Sequence, residues 1–343
     1  SMYKENMSII PYGKQFIDQS DIESVSKALK NDLVTTGPLV QKLEKKVSEI
    51  LKVKHAIVCS SGTAALHLAF MAINLKKGDN IIMPTINFTA AANIAYLMKA
   101  NIYLSDVNPD SGLMTEKNLY ECIKRNNLKS LKAFLPMYIG GNAENNFDLK
   151  KLKKKYNAFC IEDACHALGS YKIINKKKYI VGSCIDSDIC TFSLHPLKSI
   201  TSGEGGLITT NSTDIAKKWK LFRSHGIEKN NSNWLKDKKN YDNSRKPNIW
   251  YYQVQKIGLN YRLSDINCAL AYSQLNKLKK FISERKKISR FYNKFFSSYK
   301  VFSIQKNNIE HSACHLYILK IPFKSIGIHR NKFMKYLLKN KIK

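Results

Sequence analysis

His55-Ala56-Ile57-Val58-Cys59-Ser60-Ser61-Gly62-Thr63-Ala64-Ala65-Leu66-His67-Leu68-Ala69-Phe70-Met71-Ala72-Ile73 is the stretch whose reading decides the fold. The run 55–59 is short, apolar and partly β-branched, as a buried strand is. Ser60-Ser61-Gly62-Thr63 then makes a tight turn, and the Ala/Leu-rich run 64–73 a helix. Outward from there the alternation recurs: a strand over 81–83 before a helix over 90–99, a strand over 102–104, a strand over 133–137 before a helix over 149–156, and a strand over 158–161. Such alternation predicts an α/β fold, a mostly parallel central sheet with helices on both faces. Upstream, Ser20-Asp21-Ile22-Glu23 has the form of a capping box opening a helix to about residue 31. Gly37-Pro38 leads into a second helix with Leu39, Leu43, Val47 and Ile50 or Leu51 on one stripe. Beyond Asn211 the rhythm changes to a helix over 215–223, a polar stretch over 228–250 and a long helix over 264–278. The polar segment 243–247 marks a boundary between a large domain, 1–245, and a smaller C-terminal one, 246–343.

With 343 residues, 44% hydrophobic and 24% charged, the chain matches ordinary globular usage and carries no internal repeat. No run approaches the roughly 20 apolar residues that cross a bilayer. Ser1-Met2-Tyr3-Lys4-Glu5 lacks the apolar stretch of a secretion signal, Ser1 reading as an expression scar, so a cytoplasmic protein without membrane contact is expected. The eight cysteines form no CxxC pair and have no His at zinc-ligand spacing, which predicts reduced, mostly buried thiols and no metal. Lys and Arg number 57 against 26 Asp and Glu, a net charge of +31. The lysines recur along the chain, as at 151–155, 176–178, 276–280 and 285–287, interleaved with Leu, Ile and Tyr as on solvated helix faces. We read them as a basic surface that attracts acidic small molecules, rather than as a nucleic-acid footprint.

Three segments carry chemistry. Ser60-Ser61-Gly62-Thr63-Ala64-Ala65 offers free N–H groups at a helix start, and Gly62 lets a phosphate approach the backbone, although a plain strand-to-helix turn reads the same way. Cys160-Ile161-Glu162-Asp163-Ala164-Cys165-His166-Ala167-Leu168-Gly169-Ser170 sets carboxylates at the C-terminal end of a strand, the edge where parallel sheets bind ligands. An Asp there could pair with a cationic ring nitrogen and His166 could hydrogen-bond a neighbouring oxygen; an N-cap Asp and a core His are the plainer alternatives. In Thr191-Phe192-Ser193-Leu194-His195-Pro196-Leu197-Lys198-Ser199-Ile200-Thr201-Ser202-Gly203-Glu204-Gly205-Gly206-Leu207, one lysine lies in a polar turn between apolar strands. A desolvated amine suits Schiff-base chemistry, and Ser193 offers a hydroxyl to a phosphate.

In this order the three segments resemble the DegT-type family of sugar aminotransferases, within the fold-type-I pyridoxal-phosphate (PLP) enzymes. The likeness runs over nearly the whole chain, through Thr35-Thr36-Gly37-Pro38, Ser61-Gly62-Thr63-Ala64-Ala65-Leu66, Asn87-Phe88-Thr89-Ala90, Glu162-Asp163-Ala164-Cys165-His166-Ala167, the run 193–206 and Gly258-Leu259-Asn260-Tyr261-Arg262-Leu263-Ser264-Asp265. The resemblance implies pyridoxal 5′-phosphate bound covalently through Lys198, with Asp163 on its pyridine nitrogen and His166 near its ring hydroxyl. It also implies Phe88 stacked on the ring, Gly62, Thr63 and Ser193 on the phosphate, and Lys198 as the base that moves the proton. Asn260 is implied to reach the phosphate of the other subunit's cofactor, hence a homodimer with shared active sites.

Ile10-Pro11-Tyr12-Gly13-Lys14-Gln15, Leu221-Phe222-Arg223-Ser224-His225-Gly226-Ile227 and Trp250-Tyr251-Tyr252 followed by 255–260 are similar to one branch of that family. That branch, in the pseudaminic-acid pathway, aminates C4 of a UDP-linked 4-keto-6-deoxy-N-acetyl sugar with L-glutamate as donor. Leu194 stands where Phe is commoner, and Ala271 where Gly is. Family members continue past the position of Lys343, so the C-terminal domain is expected to be short of theirs. Two alternatives stay open: an aminotransferase of the viosamine or perosamine type, and a basic PLP-fold regulator without turnover. A PLP-dependent sugar dehydratase carries His where Lys198 stands, and a Rossmann oxidoreductase would want a GxGxxG that Ser60-Ser61-Gly62-Thr63 lacks.

Overall fold

Successive residues of a strand point to opposite faces, and here both faces are apolar. In β1 (His55–Cys59), Ile57 and Cys59 enter one core while Ala56 and Val58 enter another. The computed structural model describes residues 9–144 and 148–343; the reading of Ser1 to Glu5 lies outside them. Further along come β2 (Asn80–Pro84), β3 (Asn101–Ser105), β4 (Ala133–Phe134), β5 (Phe159–Asp163), β6 (Tyr171–Ile174), β7 (Lys177–Ile180), β8 (Ile189–Ser193) and β9 (Gly206–Thr210). A seven-stranded sheet runs β1-β9-β8-β5-β4-β2-β3. Its pairs are parallel except that β9 runs antiparallel to both β1 and β8. The remaining short strands pair as hairpin β6–β7, as β10 (Ile227–Glu228) with β11 (Gln253–Val254), and as β12 (Ser303–Ile304) with β13 (Leu319–Lys320).

Helices cover both faces, as the α/β reading expects. In chain order they are α1 (Gln19–Leu29), α2 (Pro38–Leu51), α3 (Gly62–Ala72), α4 (Ala90–Leu97), α5 (Glu116–Arg125), α6 (Leu149–Tyr156), α7 (Thr213–Phe222), α8 (Asp265–Phe296) and α9 (Arg330–Lys339). α3, α4 and α7 share one core with Ile57, Ile81, Ile161 and Ile208. α2 and the first half of α8 share the other with Val58, Phe192 and Leu207. α3 is apolar almost all round, so it sits inside, where Ala64, Ala65 and Ala69 permit close approach. Trp219 of α7 is fully buried there and donates its indole N–H to the Leu68 carbonyl at 3.2 Å. No helix among the described residues is long and apolar enough to cross a membrane.

Three sequence expectations shift. The capping box of α1 is Asp18 with Asp21, not Ser20 with Glu23: each carboxylate accepts the other's N–H, at 3.2 and 3.3 Å. Lys277 of α8 decides this by pairing with both carboxylates, at 2.5 and 2.7 Å. The helix expected over 264–278 runs on to Phe296, because no Gly or Pro interrupts it and its Lys-rich second half is a solvated face. The strand expected over 133–137 keeps only Ala133–Phe134 in the ladder, with Met137 making a lone bridge to Asp163.

The second N-terminal helix, α2, is tied to α8 by one carboxylate. α2 starts after Gly37, which has no side chain to cap it. Asp265, wholly buried, accepts from the Gly37 N–H at 2.7 Å and the Leu39 N–H at 2.9 Å. A Cβ at Gly37 would stand 2.6 Å from that carboxylate, so the cap needs glycine there. Hydrogen bonds to a charged group contribute about 1.5–3 kcal/mol each. Asp265→Ala is therefore expected to lower stability by about 2–4 kcal/mol in chemical denaturation, and a loss below about 0.5 kcal/mol would refute the cap.

Candidate active site

The C-terminal ends of β1, β5 and β8 converge on a cavity of about 380 Å3. At the end of β1, Ser61 caps α3, its hydroxyl accepting from the Ala64 N–H at 3.0 Å. The N–H groups of Gly62 and Thr63 belong to the first turn, which has no intrahelical acceptor for them, and the helix dipole adds positive potential. A Cβ on Gly62 would lie 3.0 Å from that of Ser193, so glycine lets the turn press against the end of β8. Backbone donors and a hydroxyl thus face one wall, an arrangement that binds phosphate.

β5 ends in two carboxylates that strand alternation sends opposite ways. Glu162, 2% exposed, accepts from Tyr138 Oη, Lys172 Nζ and, at 3.0 Å, Ser187 Oγ. Burial opposes the charge on Lys172, yet the adjoining Glu162 raises its pKa. Burial and then Glu162 push the Tyr138 hydroxyl well above its usual value. Glu162 is therefore a brace behind the strand. Asp163, 4% exposed, lines the cavity and accepts from the Cys165 N–H at 3.2 Å.

Lys198 lies in the loop from β8 to β9. The loop is closed by Leu194 N–H to the Gly205 carbonyl at 2.8 Å, Ser202 N–H to Leu194 at 3.0 Å and Lys198 N–H to His195 at 2.9 Å. Burial lowers the pKa of its amine, with Cys165 and Asp163 acting weakly the other way. A larger neutral fraction at pH 7 follows, which is the nucleophilic form. His166 is held neutral: burial and then Lys198 bring its pKa down to about 3. Its Nδ1 accepts from the Gly140 N–H at 3.3 Å, which assigns the proton to Nε2.

The seven residues Gly62, Thr63, Phe88, Asp163, His166, Ser193 and Lys198, all singled out in the sequence, line this cavity together. Asn260 does not. It is exposed, on the segment that bridges to Ser224, beside the α3 turn where Ser60 N–H donates to the Tyr261 carbonyl at 2.9 Å. Asn87, Cys165, His195 and Glu204 also line the cavity without having been given a role. For Asn87 the only signal was its place before Phe88.

Phe88 is 74% exposed, a flat apolar face open to the cavity. Asn87 accepts from the Phe88 N–H at 2.7 Å, and its buried Nδ2 has no hydrogen-bond partner among the described residues. An unpaired buried donor costs about 1–3 kcal/mol, so a polar ligand atom suits that position. An anion-binding turn, an amine whose pKa burial lowers, a carboxylate and an aromatic face together fit PLP. Among the described residues no group of His, Cys, Asp and Glu is arranged to hold a metal ion.

Comparison with known proteins identifies the family. The model of the DegT/DnrJ/EryC1/StrS aminotransferase family matches residues 15–343. The UDP-4-amino-4,6-dideoxy-N-acetyl-beta-L-altrosamine transaminase of Campylobacter jejuni is 39% identical over 318 residues, covering 92% of this chain and 77% of that protein. Helicobacter pylori PseC, described as an aminotransferase of pseudoaminic acid biosynthesis, superposes with a TM-score of 0.80 at 26% identity over 98% of this chain and 83% of its own. The GDP-4-keto-6-deoxy-D-mannose-3-dehydratase of E. coli reaches a TM-score of 0.82 at 24% identity, covering 98% of this chain and 85% of its own, and so shares the fold. The family model and the 39% identity run along nearly the whole chain: it belongs to the DegT/DnrJ/EryC1/StrS aminotransferase family and works with pyridoxal 5′-phosphate.

Proposed function

We propose that this aminotransferase moves the amino group of L-glutamate onto C4 of a UDP-linked 4-keto-6-deoxy-N-acetyl sugar. The observation that carries the reading is the convergence of the Lys198 amine, the Asp163 carboxylate and the first turn of α3 on one cavity. The 39% identity to the Campylobacter jejuni transaminase supports the sugar class. The net charge of +31 favours an acidic nucleotide-sugar.

Bound there, PLP supplies an electron sink for the carbon that exchanges its proton. Lys198 would hold the cofactor, and its Nζ would be the group placed to move a proton at the substrate carbon, a task that its lowered pKa suits. Asp163 keeps the ring nitrogen protonated by its charge. His166 donates from Nε2 to a ring oxygen. Gly62 and Thr63 N–H groups with Ser193 Oγ would hold the phosphate, and Phe88 would offer its flat face to the ring.

The reading includes a homodimer, cytoplasmic, in which Asn260 serves the partner's cofactor phosphate, and a division of the chain into 1–245 and 246–343. The exposure of Ile249, Trp250 and Ile257, large apolar side chains just before Asn260 in the chain, supports a covering partner.

Borohydride reduction of the PLP-loaded protein and peptide mapping should label Lys198; label on another lysine overturns the assignment. Lys198→Ala should keep PLP non-covalently and lose turnover. Asp163→Asn should retain PLP yet slow turnover by several orders of magnitude, at about 1.4 kcal/mol of barrier per tenfold, and near-normal rates would remove its role. Asn260→Ala should release PLP faster on dialysis without unfolding; unchanged retention argues against the shared site. Given glutamate and UDP-, GDP- and dTDP-linked 4-keto-6-deoxy sugars, the protein should aminate the UDP sugar by mass, and turnover of the others alone would reassign the nucleotide.

A further inference from the structure

A cation beside this site has no carboxylate partner among the described residues. Arg285 of α8 is half-buried, and burial lowers its pKa while leaving an arginine charged. One of its terminal nitrogens, Nη2, donates to the Lys198 carbonyl at 3.1 Å; the other, Nη1, donates to His315 Nδ1 at 3.2 Å. His315 can accept because it is neutral: burial, then His166, Lys198 and Arg285, bring its pKa to about 2. Its ring packs on that of His166, with centroids 4.3 Å apart at 47°. The main chain closes the circuit at Gly140, whose carbonyl accepts from the His315 N–H at 2.9 Å and whose N–H donates to His166 Nδ1 at 3.3 Å.

A guanidinium is a rigid planar fork, and here its two arms reach two distant chain segments. One arm fixes the main chain that carries Lys198, and the other fixes the ring that backs His166. We propose that Arg285, acting with His315, is a positioning residue that sets Lys198 and His166 relative to each other. The proposal rests on the reading of Lys198 as the residue that holds the cofactor and moves the proton. Proton transfer needs its donor and acceptor within hydrogen-bond reach, so a small displacement of the Lys198 loop slows it without weakening the binding of either reactant. Arg285 also borders a second cavity of about 330 Å3, with Lys14 and Lys280, and Lys198 lines that cavity too. Binding of a substrate anion there is the rival role, and kinetics separate the two.

The test uses the PLP-loaded full chain and the variants Arg285→Ala, Arg285→Lys and His315→Phe, the last of which keeps a ring against His166 and loses the acceptor. PLP content, visible circular dichroism of the bound cofactor, thermal melting and the single half-reaction with glutamate are measured. Arg285→Ala should retain PLP, change the visible dichroism and lower the maximal rate about a hundredfold, with the half-saturating glutamate concentration nearly unchanged. Arg285→Lys should recover only part of that rate, because one ammonium cannot span both acceptors. His315→Phe should fall between the parent and Arg285→Ala.

A parent-like rate in Arg285→Ala overturns the proposal. A raised half-saturation with an unchanged rate also overturns it, in favour of anion binding, as does a loss of melting temperature and PLP in step with the rate. Failure of the underlying reading is visible separately, since the parent would then yield no borohydride-trapped PLP on Lys198.

Discussion

Lys198 and Asp163 line one cavity without forming an ion pair among the described residues. An amine and a carboxylate brought out of water would ordinarily close on each other, because their attraction grows as the dielectric falls. Holding them apart requires that the end of β5 and the loop from β8 to β9 be fixed independently. The sheet does this. β5 and β8 are parallel neighbours, and the loop is pinned at both ends by main-chain hydrogen bonds from Leu194 to Gly205 and from Ser202 to Leu194.

The same requirement explains where the other buried charges went. Glu162, next to Asp163 in the chain, is tied behind the strand by Lys172, Tyr138 and Ser187, so it does not compete for the cavity. Arg223 bonds Glu44 at 2.5 Å and the Val58 carbonyl at 2.7 Å, bracing β1 where it enters the α3 turn. Asp265 closes α2 against the start of α8. Glu162, Arg223 and Asp265 each have a partner close by, which is the condition under which such groups are tolerated. The excess of lysine stays on the surface, where it contributes potential rather than packing.

His166 and His315 show the opposite device: two imidazoles kept neutral by burial and by neighbouring cations. A neutral ring keeps one donor and one acceptor, and the acceptors are taken by the Gly140 N–H and by Arg285. The unpaired amide of Asn87 and the open face of Phe88 are the complementary features, surfaces left for a ligand to complete.

The sequence by itself determined the layering and the family. The short apolar run 55–59 and the helical stripe of Leu39, Leu43 and Val47 are local signals, so α2, α3, α6 and most of the parallel strands could be read directly, and the quoted motifs brought seven cavity residues to light. The resemblance already picked out Asp163; only the tertiary structure showed what Glu162 does, because nothing local in the chain says that its face of the strand meets Lys172, Tyr138 and Ser187. Only it assigned the cap of α1 to Asp18, through Lys277 on a distant helix. Only it joined Arg285 and His315 to Lys198 and His166, residues from four remote segments. Such contacts leave no periodicity in the chain; they arise when packing of apolar faces brings remote polar groups into the same low-dielectric space, where each must find a partner.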